Sequence, residues 1–126
     1  AFLKETKKIT TSTLGSPNSL GILLLNEIVK SKKLYTEQKA LKEVLRLRSK
    51  LFISLVKENS LCIYPYKEGF FITVKCRNPI EFTKKLKNDK VYVIPTYKGI
   101  RISLGSINLK EIPILIEKIK KNYEVC

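Results

Sequence analysis

Lys98-Gly99-Ile100-Arg101-Ile102-Ser103-Leu104 holds the strongest candidate for chemistry in this chain. Ile100, Ile102 and Leu104 alternate with Arg101 and Ser103, the period of a β-strand with one apolar face. The alternation aims the Arg101 guanidinium away from the core, beside Ser103. A guanidinium is a planar fork of N–H donors that matches a carboxylate bidentately, and a strand holds it more firmly than a loop does. The chemistry this suggests is capture of a pair of anionic oxygens. On the strand alone, an arginine that simply faces solvent is the plainer reading. Composition excludes several other sites. With no histidine, neither a Ser–His–Asp nor a Cys–His arrangement can form within the chain. Cys62, Cys76 and Cys126 are widely spaced, which fits neither a disulfide framework nor a zinc site and reads as thiols in a reducing cytoplasm. No glycine-rich phosphate loop of the Walker or Rossmann type is present. Glu81, Asp89, Glu111 and Glu117 stand singly on predicted helix ends or faces and read as solvated surface.

The formal net charge of +14 raises affinity for any phosphate backbone or anionic surface. Of the 25 basic residues, however, 21 are lysine, and base recognition relies chiefly on arginine. The lysines are spread over every predicted element, as Lys7-Lys8, Lys32-Lys33, Lys84-Lys85 and Lys120-Lys121, like solvated helix faces. Nucleic-acid binding beyond non-specific charge is not expected. Lys67 to Val74 faintly resembles the aromatic strand of RNA-binding RRM domains, but the element order differs, and Phe70 and Phe71 read as core. A chain of 126 residues, 44% of them apolar, suits one globular domain with a modest core. No apolar run reaches the ~18 residues of a membrane span, and no signal-peptide pattern opens the chain. The sequence starts at Ala1 and contains no methionine, which leads us to expect an excised piece of something longer.

The elements that must position Arg101 follow from periodicity. Residues 1–13 are weakly amphipathic and end in Thr10-Thr11-Ser12-Thr13; Gly15-Ser16-Pro17-Asn18-Ser19 is dense in turn formers. A helix over Leu20–Lys30 is apolar almost all round, which predicts burial on more than one side. A longer helix runs from Thr36 to Glu58, spans ~34 Å at 1.5 Å per residue, and suggests a brace towards another domain. Alternation then predicts a short strand at Leu61–Tyr64 and a better one at Phe70–Cys76, with Phe70, Ile72, Val74 and Cys76 on one face. Asn78-Pro79-Ile80-Glu81 combines an N-cap, a first-turn proline and an acid three residues after the cap, opening a helix to about Lys87. Val91–Ile94 reads as a strand stopped by Pro95. The Arg101 strand follows. Asn108 and Glu111 open a last helix with the stripe Ile112, Leu115, Ile116, Ile119 and Tyr123. The fold class is therefore α+β: two N-terminal helices, the second long, then a small, mostly antiparallel sheet in β-β-α-β-β-α order with helices packed on it.

These residues carry a family resemblance. The whole chain, 1–126, resembles the C-terminal (small) domain of fold-type I, pyridoxal-phosphate-dependent aminotransferases of class I/II. Thr13-Leu14-Gly15-Ser16-Pro17-Asn18-Ser19-Leu20-Gly21 resembles the loop that enters the helix after the large domain, so 1–18 is an entry segment. Residues 19–58 resemble the helices that include the interdomain helix, with its Arg-x-Arg-x-x-Leu-Phe segment at Arg46, Arg48, Leu51 and Phe52. Glu68-Gly69-Phe70-Phe71, Val91-Tyr92-Val93-Ile94-Pro95 and Gly99-Ile100-Arg101-Ile102-Ser103, within the 59–126 layer, resemble the small domain's strands and its arginine.

The resemblance implies that Arg101 clamps the α-carboxylate of amino and keto acid substrates. It implies a homodimeric parent with a large domain on the same polypeptide, and Ser16 and Asn18 near the partner subunit's cofactor phosphate. The Schiff-base lysine and the acid facing the pyridine nitrogen belong to the large domain, which is absent, and no lysine here sits in a matching motif. Pyridoxal phosphate is thus expected in the full-length parent and not bound to this fragment, which is not catalytic alone. Where the dicarboxylate-specific branch has a second arginine, this sequence has Thr11 and Ser12, so aspartate or glutamate is not implied as donor. Two alternatives are the ligand-sensing aminotransferase-like domain of a transcriptional regulator, and a basic α+β nucleic-acid-binding module. The expected location is cytoplasmic, with no membrane contact.

Overall fold

In a computed structural model that describes residues 2–13 and 18–123, the order is α1 (Phe2–Thr13), α2 (Ser19–Lys30), α3 (Lys32–Glu58), β1 (Phe71–Lys75), α4 (Pro79–Asn88), β2 (Ile94–Thr96), β3 (Gly99–Ser103) and α5 (Glu111–Asn122). The chain falls into two compact units, Ala1–Ala40 and Leu41–Cys126.

In the second unit the three strands are antiparallel in the order β1-β3-β2. Ile72 and Val74 of β1 face Ile102 and Ile100 of β3 across the ladder, and all four are buried. Phe52 and Val56 of α3, Phe82 and Leu86 of α4, and Ile112, Leu115, Ile116 and Ile119 of α5 join them in one apolar cluster. Three helix stripes thus cover one face of the sheet, as the alternation requires. The architecture is the expected α+β one, with helices packed on a small antiparallel sheet.

The helix boundaries have local causes. Asn78 accepts the Glu81 amide at 3.3 Å and its Nδ2 reaches the Glu81 carboxylate, closing the expected cap on α4. Glu111 accepts the Asn108 amide at 2.8 Å at the entry to α5. The exits of α3 and α4 share one device. Ser60 and Lys90 take positive φ, and the Leu61 and Val91 amides reach back to the Val56 and Leu86 carbonyls. This is the usual C-terminal reversal built without its usual glycine.

Several expectations need correction. Three helices, not two, precede the sheet. The threonine-rich segment is helical in α1, where the Thr6, Thr10, Thr11 and Thr13 hydroxyls donate to carbonyls four residues back. Helix α2 buries none of its residues, and Leu23 and Leu25 are about 60% exposed; no described residue supplies the surface its apolar sides call for. Leu61–Tyr64 is no strand. It is held by one bridge, Ile63 to Val74, with Tyr64 donating to Thr73 and Lys75 donating to Cys62. Phe70 lies before β1, half exposed beside positive-φ Gly69, whereas Ile72, Val74 and Cys76 are buried as expected. Pro95 does not stop β2 but sits inside it, opposite Ile100. The strand is at the sheet's edge, where a residue without an N–H costs no ladder bond.

Two tests follow. A Cβ on Gly99 would collide with the Val74 carbonyl oxygen, so Gly99→Ala should destabilise the fold by about 1–3 kcal/mol in urea unfolding. The Asp89 carboxylate accepts from Asn122 at 2.8 Å and pairs with Lys121, which holds its pKa below the ordinary value. Stability from this group is present above the unfolded pKa and is lost as pH falls through the folded one. The urea midpoint should therefore fall below about pH 4, and Asp89→Asn should flatten that fall.

Candidate functional site

Arg101 is the middle residue of the middle strand, between Thr73 of β1 and Ile94 of β2. Its neighbours in sequence, Ile100 and Ile102, are buried under the helices while Arg101 is exposed. Its side chain therefore leaves the sheet on the face opposite the buried cluster, together with Phe71, Thr73, Lys75 and Ser103. The strand-phase expectation for Arg101 holds.

The guanidinium carbon lies 4.7 Å from the centre of the Phe71 ring, within cation–π range. Phe71 pairs with Ser103, so it is a diagonal cross-strand neighbour of Arg101, a spacing that long and aromatic side chains bridge. Among the described residues Arg101 has no hydrogen-bond or ion-pair partner. An open groove of about 630 Å³ starts here, bordered by Arg101, Phe71, Tyr92, Ile94, Ser103 and Ile114. Lys90, Glu111 and Lys118 also line it, so its walls mix apolar and charged side chains.

Two other arginines are already engaged. Arg46 closes its fork on Glu43, with the Nε contact at 2.8 Å, and that pairing pulls the Glu43 pKa down. Arg48 donates from Nη1 to the carbonyls of Leu104 and Gly105 at 2.9 and 3.0 Å, tying α3 to the turn that leaves β3. Sequence reasoning placed Arg48 in a motif without this role. Its signal was phase: Arg48, Phe52 and Val56 recur every four residues on one helix face. Phe71 was read as core, although it is out of phase with Ile72 and Val74 in the same strand.

Of the two residues expected near the partner subunit's cofactor phosphate, only Asn18 is among the described residues. Ser16 lies outside them. Asn18, in the first unit, uses its side-chain oxygen to cap α2, accepting the Gly21 amide at 3.1 Å. Among the described residues no cluster of histidine, cysteine or acidic side chains could hold a metal ion, and no helix is long and apolar enough to cross a membrane.

The fold is shared with solved aminotransferase structures. The match to an aminotransferase from Anaerococcus prevotii has a TM-score of 0.87 at 24% identity, over 98% of this chain and 32% of that one. An aromatic aminotransferase from Pyrococcus horikoshii matches at 0.78 and 17% identity, over 90% of this chain and 34% of that one. A mutant aspartate aminotransferase of Thermus thermophilus, in complex with tryptophan, matches at 0.74 and 13% identity, over 91% and 32%. The chain spans about a third of the length of each. No family model matches the sequence, and no curated protein matches it. The resemblance read from the sequence is thus met at the level of the fold.

The Arg48 contacts generate a test of how the site is held. Arg48→Ala removes two charge-assisted hydrogen bonds and should cost about 1.5–3 kcal/mol. Amide hydrogen exchange should speed up at Ser103 to Ser106 before it does in α4.

Proposed function

We propose that this chain is the small, C-terminal domain of an aminotransferase, and that Arg101 binds the α-carboxylate of its amino and keto acid substrates. The observation that carries the reading is a strand-held guanidinium, exposed on the sheet face opposite the buried cluster, with no hydrogen-bond or ion-pair partner among the described residues, in a fold shared with aminotransferases. In this role the fork takes both carboxylate oxygens in its plane and turns the amino group to a fixed direction. Positioning is what the chain contributes. The remaining two thirds supply the large domain, and the family's pyridoxal phosphate, held there, supplies the amino-transfer chemistry. The exposed apolar sides of α2 accord with a further domain or subunit packing on this chain. The assembled protein is read as a homodimer.

The test is a chimaera in which this chain replaces the matching third of the Anaerococcus prevotii aminotransferase, assayed with a panel of L-amino acids. Loss of two charge-assisted hydrogen bonds in Arg101→Ala should raise KM about 100-fold, with kcat changed much less. Arg101→Lys keeps a charge without the fork and should fall between. Equal KM values for the wild-type and Arg101→Ala chimaeras would remove Arg101 from the site.

A further inference from the structure

We infer that Phe71 is a positioning residue for Arg101, acting on the carboxylate through the guanidinium that its ring holds in place. The inference rests on the carboxylate-binding reading of Arg101 and adds the means by which its fork is kept in place. An arginine on an open sheet face has a long, flexible stem, and fixing that stem costs rotamer entropy each time a ligand binds. The chain's arginines meet this problem differently. Arg46 is fixed by Glu43 and Arg48 by two carbonyls, and in both the donors are consumed. Arg101 is fixed by a ring. The Phe71 centroid lies 4.7 Å from its guanidinium carbon, and this is the only arginine stacked on an aromatic ring among the described residues.

The distinction is chemical. A phenyl ring engages the flat face of a guanidinium, whereas a carboxylate binds along its N–H edge. The ring therefore restrains the group and leaves its donors open, which neither an acid nor a carbonyl can do. The sheet sets the pairing. Phe71 faces Ser103 across the ladder, and Arg101 is the next residue of β3 on that face, one diagonal step away. Phe71 is 51% exposed and lies outside the buried cluster. Its presence on the face opposite that cluster is therefore not required by the core.

The test uses the same chimaera and separates two roles. Phe71→Ala should raise KM for the amino acid about fivefold, with kcat within about a factor of two. Phe71→Tyr, which keeps the ring, should behave as wild type, and Phe71→Leu, which keeps apolar bulk without a π face, should resemble Phe71→Ala. In an Arg101→Ala background, Phe71→Ala should change KM no further, because the residue acts through the guanidinium. A full Phe71→Ala effect in that background, or Leu serving as well as Tyr, would overturn the inference. Should Arg101→Ala raise KM while Phe71→Ala leaves it unchanged, positioning fails and the carboxylate reading survives; no effect of Arg101→Ala sinks both. A second measurement needs no assembled enzyme. In NMR spectra of this chain the Arg101 Nε–H proton should be shifted by the ring current and should move on Phe71→Leu substitution. An unmoved resonance contradicts the contact.

Discussion

The phase of β3 is the constraint on which the site depends. Side chains in a strand alternate strictly, so a slip of one residue would place Arg101 among the helices and Ile100 and Ile102 in water. Burying each isoleucine is worth about 1.5–3 kcal/mol, and a guanidinium moved into the cluster would have no carboxylate there to meet it. Gly99 fixes the phase further, because it lies hard against the Val74 carbonyl where no side chain fits. The same arrangement that fills the core therefore sets the guanidinium on the open face. Folding and binding are coupled at a single strand.

The rest of the second unit holds that strand steady. Apolar stripes of α3, α4 and α5 converge on the inner face of the sheet, and β1 and β2 flank β3 on both sides. Arg48 carries the restraint past the end of the strand by binding the Leu104 and Gly105 carbonyls. Asp89, at the C-terminal end of α4, is badly placed for the helix dipole. Asn122 and Lys121 of α5 compensate it, so α4 and α5 are joined by polar contacts as well as apolar ones. A binding group on such a scaffold loses little freedom on meeting its ligand.

Some of this was legible in the residues and some was not. Period-two alternation was enough to place Arg101 outside and Ile100 and Ile102 inside, and Asn78-Pro79 with Glu81 announced α4 from side-chain chemistry alone. Phe70-Phe71 was ambiguous because two adjacent aromatics give no phase by themselves; only the register against Ser103 shows which lies in the strand. Pro95 misled because proline usually ends a strand, and its tolerance here depends on β2 being the edge, which is a tertiary fact. In α2 the apolar composition predicted burial, and the described residues leave every apolar side chain of the helix exposed. The left-handed Ser60 and Lys90 had no sequence signal, since glycine or asparagine would be the usual choice.

The charge of +14 sets the wider context: scattered lysines draw anions to the surface, and a guanidinium adds the planar, two-point recognition that an ammonium lacks. The central claim is tested most directly by a crystal structure of the chimaera with a keto acid bound. The account places both carboxylate oxygens within about 3 Å of the Arg101 nitrogens, with the Phe71 ring against the opposite surface of the guanidinium. A carboxylate held by other residues, with Arg101 turned to solvent, would contradict it.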